Sequence, residues 1–362
     1  MDLRTFEKTD KHSALNVMTS KWVLRWKFVD NVKIVKARLT VRGFQDLAAA
    51  SLDTYAGTAS RWSQRIVNSV VANHQWTIKT LDVGTAFLQG VTFAELAEMT
   101  GEPIREVSFV PPKGSEKYFQ EFDPQLNFTK HVLRMLKPVY GLKDAPRCWR
   151  LRLDQALKAT GGKALRCDPA VYVWHDKNGS LSTILSTHVD DLKGGGTPEV
   201  WQKVVKALET AFGKLKVQEK KFEHCGLLHE QREDSTIVIH QSHYSAQLRV
   251  IPLPDDDLKN PNKPLNDEQK SSFLTLLGGL SWLVQTRMDI AVYVAALQRQ
   301  SATPTVECIS RANKLVKWVK RKSAALTYRP MTGKLRIMVI SDAAFKREND
   351  HTGLAMRGAI VG

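Results

Sequence analysis

Apolar and basic residues alternate through residues 21–45, KWVLRWKFVDNVKIVKARLTVRGFQ, around a turn at Asp30 and Asn31. A period of two is that of a pleated strand, so the segment is predicted to be a hairpin with one buried face and one basic face. Residues 77–83, TIKTLDV, predict a short strand that carries Asp82 near its end. The period changes at residue 144. Asp144 can cap a helix, Pro146 suits its first turn, Trp149, Leu153, Ala156 and Leu157 share one face, and Gly161 and Gly162 stop it. Runs at 170–174 (AVYVW), 181–188 and 192–195 predict a three-stranded meander whose first turn is marked by Asn178 and Gly179. Asp190 and Asp191 then fall at its second, tight turn.

Residues 251–264, IPLPDDDLKNPNKP, form the clearest linker, because Pro and Asp interrupt both periods. Helical patterns follow from Asn266 to Leu326, and the uncharged run 271–286 reads as a buried helix. LRIMVISDAAF at 335–345 returns to strand character, and no repeat or low-complexity tract interrupts the chain. The pattern divides the chain at 1–250, 251–330 and 331–362, a length sufficient for two or three domains with their own cores.

Hydrophobic residues make up 43% and charged residues 25% of the 362 positions, which excludes a disordered or fibrous chain. Fifty-three Lys and Arg against 37 Asp and Glu leave a formal charge of +16. That surplus attracts polyanions, nucleic acid first among them, but it selects a partner and not a reaction. The uncharged stretch contains Gly278, Gly279, Ser281 and Gln285 and is too short and polar for a membrane span. The start, MDLRTFEKTDKHSALNV, lacks the apolar core of a secretory signal. Cys148, Cys167, Cys225 and Cys308 lie far apart with no CxxC pair, so neither a zinc ribbon nor a disulfide framework is expected, and the chain reads as intracellular and reduced.

Adjacent carboxylates at a turn are ordinarily acceptors for local backbone N–H groups. Here the pair follows an apolar strand, ILSTHVDD, and precedes LKGGG, which leaves little side-chain bulk to obstruct a backbone or substrate. Carboxylates brought together raise one another's pKa unless an oxygen-seeking divalent metal holds them, and Mg²⁺ is the natural candidate. The ordered blocks KARLTVRGFQ (36–45), LDVGTAFLQG (81–90), VYGLKDAPRCW (139–149), DPAVYVW (168–174) and HVDD (188–191) resemble the reverse transcriptase of Copia-type retrotransposons. GGLSWLVQTRMDI (278–290) and the helix around KLVKWVKRK extend the likeness into the region joining polymerase to ribonuclease H. Five blocks in this order make the resemblance specific, and it covers nearly the whole chain.

The resemblance implies an α+β chain, with right-hand polymerase fingers and palm followed by a helical connection and a truncated ribonuclease H-like strand pair. It implies an RNA-directed DNA polymerase that uses an RNA or DNA template with primer, dNTPs and two Mg²⁺ ions, at no membrane, in a cytoplasmic particle or the nucleus. The oligomeric state is left open. Asp82, Asp190 and Asp191 would be the catalytic metal ligands. Phe87, five residues after Asp82, would lie under the sugar of the incoming nucleotide and leave no room for a 2′-hydroxyl, with a core position below the sheet as the other reading. Lys36, Arg38 and Arg42 match the fingers strands that meet the triphosphate, or form a solvated strand face. Tyr140, Gly141 and Lys143 match the loop near the templating base. Residues 311–329 hold seven basic residues and no acidic one, while Val306, Ile309, Ala312, Leu315, Val316 and Val319 keep helical spacing, so one face can be buried and the other turned to phosphates or to water.

Two departures stand out: His188 occupies the place of the family's usual Tyr, where it would touch the primer end, and Gly84 that of a usual Lys. Changes such as His188 leave a catalytically inactive nucleic-acid-binding remnant as one rival, and a nuclease centred on Asp342 is a second, independent one. Asp342 matches the first metal ligand of ribonuclease H, but only Glu348 and Asp350 follow it among acidic residues, so no ribonuclease H activity is expected and the chain looks like one piece of a polyprotein. TGGKAL (160–165) lacks the first Gly of a phosphate loop, and HEQRE (229–233) lacks the second His of a zinc protease. No metal site is expected at His224, Cys225 and His229, because KFEHCGLL better matches a polymerase strand block.

Overall fold

A computed structural model describes residues 4–29, 32–332, 339–344 and 356–361. The turn expected at Asp30 and Asn31, and Glu348 and Asp350, lie outside the described residues. The first sheet has the order β1-β6-β5-β2-β3 and contains β1 (Phe6–Asp10), β2 (Val17–Val29), β3 (Val32–Val41), β5 (Ser108–Val110) and β6 (His131–Met135). The second, order β11-β4-β10-β9-β8-β7, contains β4 (Lys79–Asp82), β7 (Lys163–Ala164), β8 (Val171–His175), β9 (Leu181–His188), β10 (Asp191–Gly196) and β11 (Lys216–Glu219). The third joins β12 (Lys221–His224), β13 (Leu227–Gln231), β14 (Ile237–His240) and β15 (Leu326–Tyr328) in sequence order. A pair, β16 (Val339–Ala344) and β17 (Met356–Val361), stands apart and sets Asp342 opposite Gly358. Asp342 thus falls within a strand, as the strand character of 335–345 implies.

The second sheet is covered on both faces, which explains why β8 and β9 are buried along their length and do not alternate. Helices α4 (Ala145–Ala159) and α5 (Pro198–Phe212) lay Trp149, Leu153, Leu157, Trp201, Val204 and Leu208 on one side, against Leu81, Tyr172, Leu185 and Leu192. On the other side, α1 (Arg61–Asn73) and the third sheet place Val67, Val71, Phe222, Ile237 and Ile239 against Ile78, Val171, Val173 and Ile184. Shorter helices are α2 (Phe93–Thr100), α3 (Glu116–Gln120), α6 (Ser242–Gln247) and α7 (Asp255–Leu258), and a separate core joins α8 (Asp267–Leu283), α9 (Ala291–Arg299) and α10 (Val306–Arg321), with the linker residues Ile251 and Leu253 packed on it. After α10 the chain returns to the third sheet, since β15 pairs with β14, and so segments on both sides of residue 251 share one sheet.

Several expectations need correction. The hairpin forms, with Trp22 opposite Leu39 and Trp26 opposite Val35, but its apolar face is not buried. Trp26 is 65% and Phe28 69% exposed, because β2 pairs with β5 only over Val17–Thr19 and the ribbon then projects beyond the sheet. The helix at 145–159 forms, yet the Asp144 side chain makes no cap; it pairs with Arg105, which also binds Asp46. The run 271–286 is amphipathic and not buried throughout: Phe273 and Leu280 are enclosed while Leu274 and Trp282 are exposed. The glycines of LKGGG do not clear a path for substrate. A Cβ on Gly195 would lie 3.0 Å from the Thr77 carbonyl oxygen and from Val71 of α1, so the small residue lets helix and strand approach each other. No helix among the described residues is long and apolar enough to cross a membrane.

Candidate active site

Asp82 is the last residue of β4 and Asp191 the first of β10, and the two are direct partners in the antiparallel register. Such partners project from the same face of a sheet, so a separation of 109 positions in sequence closes to neighbouring side chains. Asp190 sits in the two-residue turn between β9 and β10, where its carbonyl accepts the Val83 N–H at 3.2 Å. The preceding turn residue, Val189, has φ 56°, a left-handed conformation that a β-branched side chain adopts at a cost. The Trp149 indole Nε1–H donates to its carbonyl at 2.7 Å, so α4 holds the strained turn from below. The turn expected at Asp190 and Asp191 is therefore one residue earlier, at Val189 and Asp190.

The carboxylates perturb one another. Burial pushes Asp191 up to about 6, with the charges of Asp190, Asp82 and Glu223 adding to the rise. Asp190 is raised by burial and by Asp82, while Lys36 and His188 oppose the shift. Lys36 of β3 thus acts on the carboxylates across the gap between the first and second sheets. Its neighbour in alternation, Arg38, lies 5.9 Å from the Tyr140 ring centroid and hydrogen-bonds its hydroxyl. Burial raises the Tyr140 pKa, as does the charge of Asp190, against the opposing pull of Arg38. Phe87 meets Tyr140 edge to face with centroids 5.6 Å apart, and is half-buried between two cores.

Lys36, Arg38, Phe87, Tyr140 and the three Asp residues therefore converge. Gly141 supports them indirectly: at φ 103° it packs so closely on the end of β3 that a Cβ would stand 2.0 Å from the Val41 carbonyl oxygen. Arg42 and Lys143 diverge. Arg42 is exposed after β3, its backbone N–H donating to the Thr19 carbonyl, and the Lys143 ammonium reaches the Ala49 carbonyl at 3.5 Å. His188 faces Asp191 across the turn, and its Nδ1 is buried without a hydrogen-bond partner.

The fold assembles a second group, in which Asp191 is a neighbour that the sequence did not point to. The hairpin β12–β13 folds over the open face of β4 and β10, bringing one ligand atom each from Asp191, His224 and Cys225 within 4.8 Å of one another. The trio His224, Cys225 and His229 does not assemble: Asp191, and not His229, stands with His224 and Cys225. His229 lies instead under Lys193, whose amine is 3.1 Å from its Nε2. No periodicity marks this arrangement, because it depends on one sheet packing across another.

Residues 4–251 match the family described as reverse transcriptase (RNA-dependent DNA polymerase). The chain is 24% identical over 307 residues to the retrovirus-related Pol polyprotein from transposon RE2 of Arabidopsis thaliana, covering 81% of this chain and 20% of that protein. It is 29% identical over 192 residues to the corresponding polyprotein from transposon TNT 1-94 of Nicotiana tabacum, covering 52% of this chain and 13% of that one. The chain thus spans about a fifth or less of the length of these curated relatives. A solved foamy viral protease-reverse transcriptase dRH in complex with double-stranded DNA is similar in fold, with a TM-score of 0.50 at 13% identity over 94% of this chain and 49% of that one.

Proposed function

This chain belongs to the reverse transcriptase (RNA-dependent DNA polymerase) family, of the Copia type, and from that premise we propose that Asp82, Asp190 and Asp191 carry template-directed addition of deoxynucleotides to a primer. The observation that carries the reading is the meeting of these carboxylates from two distant blocks at paired strand ends, where burial and mutual repulsion raise Asp190 and Asp191. Three repelling carboxylates form a hard, all-oxygen donor set, which fits two Mg²⁺ ions. Bound there, Mg²⁺ would supply activation of the primer 3′-hydroxyl and charge neutralisation on the leaving pyrophosphate.

The surrounding residues have roles consistent with that chemistry. Lys36 and Arg38 extend from the basic face of the hairpin toward the carboxylates and would neutralise the triphosphate. Phe87, braced by Tyr140, would form the floor under the sugar. Trp149 fixes the carboxylate turn through Val189, so that Asp190 keeps its position when charge develops beside it. The reaction joins the primer 3′-oxygen to the α-phosphorus as the α–β phosphoanhydride bond breaks, releasing pyrophosphate and a proton. The substrates would be dNTPs and a primed RNA or DNA template, with the exposed basic side chains of α10 as a phosphate-binding surface.

Primer extension on an RNA template with Mg²⁺ tests the proposal. Asp190→Asn is expected to abolish extension while leaving primer-template binding largely intact, because phosphate contacts supply most of the affinity. Undiminished extension by that variant would falsify the assignment. Binding without extension by the unaltered chain would identify the nucleic-acid-binding remnant, the reading that His188 and Gly84 favour.

A further inference from the structure

We propose that Asp191, His224 and Cys225 form a second cation site, selective for a thiophilic divalent ion such as Zn²⁺, which competes with the oxygen-only site for Asp191. The three ligand atoms lie within 4.8 Å of one another, close enough for a single ion to draw them together. A thiolate and an imidazole favour Zn²⁺ over Mg²⁺, and three protein ligands leave a fourth position for water. The ligands come from two parts of the chain that the fold brings together: Asp191 opens β10, His224 ends β12, and Cys225 begins the tight turn into β13.

The state of His224 gives the site its second, independent support. Its ring is 2% exposed, and its Nδ1 lies 3.4 Å from the Thr80 hydroxyl oxygen. That hydroxyl already donates to the Leu192 carbonyl at 3.0 Å, so it accepts from His224, and the proton belongs on Nδ1. Nε2 is then left with a lone pair, and this buried atom has no hydrogen-bond partner. A neutral imidazole with one nitrogen fixed by a hydrogen bond and the other unpartnered is the form that binds metal. Cys225 is partly accessible and carries a free thiol, beside Gln64 of α1. Binding releases the thiol proton to solvent and forms the metal–sulfur bond, with no change in oxidation state.

Occupancy would tie Asp191 to the third sheet and withdraw it from the carboxylate trio, making Zn²⁺ an inhibitory ligand. This consequence rests on the polymerase reading; the site itself does not. Cobalt serves as a spectroscopic probe. Titrating the metal-free full chain with Co²⁺ is expected to produce a thiolate-to-cobalt charge-transfer band at one equivalent, bleached by Zn²⁺ and unaffected by Mg²⁺. Cys225→Ser should remove the band and weaken Zn²⁺ binding by about 10–100-fold or more, whereas Cys167→Ser, at an exposed thiol elsewhere, should retain both. His224→Gln should weaken Zn²⁺ binding likewise. Absence of the band in the unaltered chain, or unchanged Zn²⁺ affinity in folded Cys225→Ser, overturns the site. In primer extension with Mg²⁺, added Zn²⁺ should inhibit the unaltered chain and Cys225→Ser should resist. A cobalt–thiolate band in a chain that never extends a primer leaves the site standing and rejects the polymerase reading; extension that Zn²⁺ does not touch, with no band, does the reverse.

Discussion

Phe87 holds two positions at once. Its ring packs against two cores, so it is part of the hydrophobic interior, and it meets Tyr140 beside the carboxylates, so it also borders the site. The sequence offset from Asp82 could not choose between these readings, and the tertiary structure makes them compatible. Phe87→Val is expected to let ribonucleotides compete more effectively with deoxynucleotides. It should also lower stability by about 1–3 kcal/mol, less than loss of a fully buried ring, because one edge is already open. A ribonucleotide competition assay and thermal melting on the same variant measure both. Unchanged sugar discrimination with lowered stability would assign Phe87 to the core alone.

Among the elements, the packing of the third sheet on the second buries a lysine. Lys193 of β10 is 1% exposed beneath β13, and its amine pairs with a ring nitrogen of His229, whose Nδ1–H donates to the Leu227 carbonyl. Burial lowers the Lys193 pKa to about 7. The unfolded chain holds this proton up to about pH 10, so between about pH 7 and pH 10 the unfolded state binds more protons than the folded one. Stability contributed at this position therefore rises with pH across that window and is reduced below it. Lys193→Met removes the penalty, and the variant should be more stable than the parent near pH 7 by on the order of a few kcal/mol, with the gap closing toward pH 10. Melting curves of both proteins at several pH values check the trend; a constant gap would contradict it. The alternation of β10 placed Lys193 on the same face as Asp191, but only the arrival of β13 made that face an interior.

For the molecule as a whole, the formal charge of +16 is a surplus of basic side chains, and α10 presents part of it beside an apolar face. In α10, Val306, Ile309, Ala312, Val316 and Val319 are buried while Arg311, Lys314, Lys317 and Arg321 line a groove of about 830 Å³ with Tyr293 and Trp318. Binding to a primed template should weaken steeply with salt as counterions are released. Replacing Lys314 and Lys317 together by Glu is expected to reduce the slope of log affinity against log salt by about 2 and to weaken binding without regard to sequence. Fluorescence anisotropy at several salt concentrations measures this, and an unchanged slope would remove α10 from the contact surface.

The hairpin, the helix at 145–159, the meander and the Asp82 and Asp190–Asp191 blocks were legible because each depends on local periodicity, a turn or contiguous residues. The helical face of α10 was legible for the same reason. What periodicity could not supply was the environment of each face. Trp26 and Phe28 alternate as buried residues do, yet remain exposed because, among the described residues, no other strand joins β2 and β3 along the distal ribbon. The Asp144 carboxylate had the position of a cap, but a guanidinium 39 residues upstream competes for it more strongly than a backbone N–H. His224 and Cys225 carried no spacing that points to Asp191, since their proximity arises from one sheet folding over another. Sequence determined which residues each element presents; tertiary packing decided which presented groups became neighbours, and at Asp191 that neighbourhood sets both the carboxylate repulsion and the candidate thiophilic site.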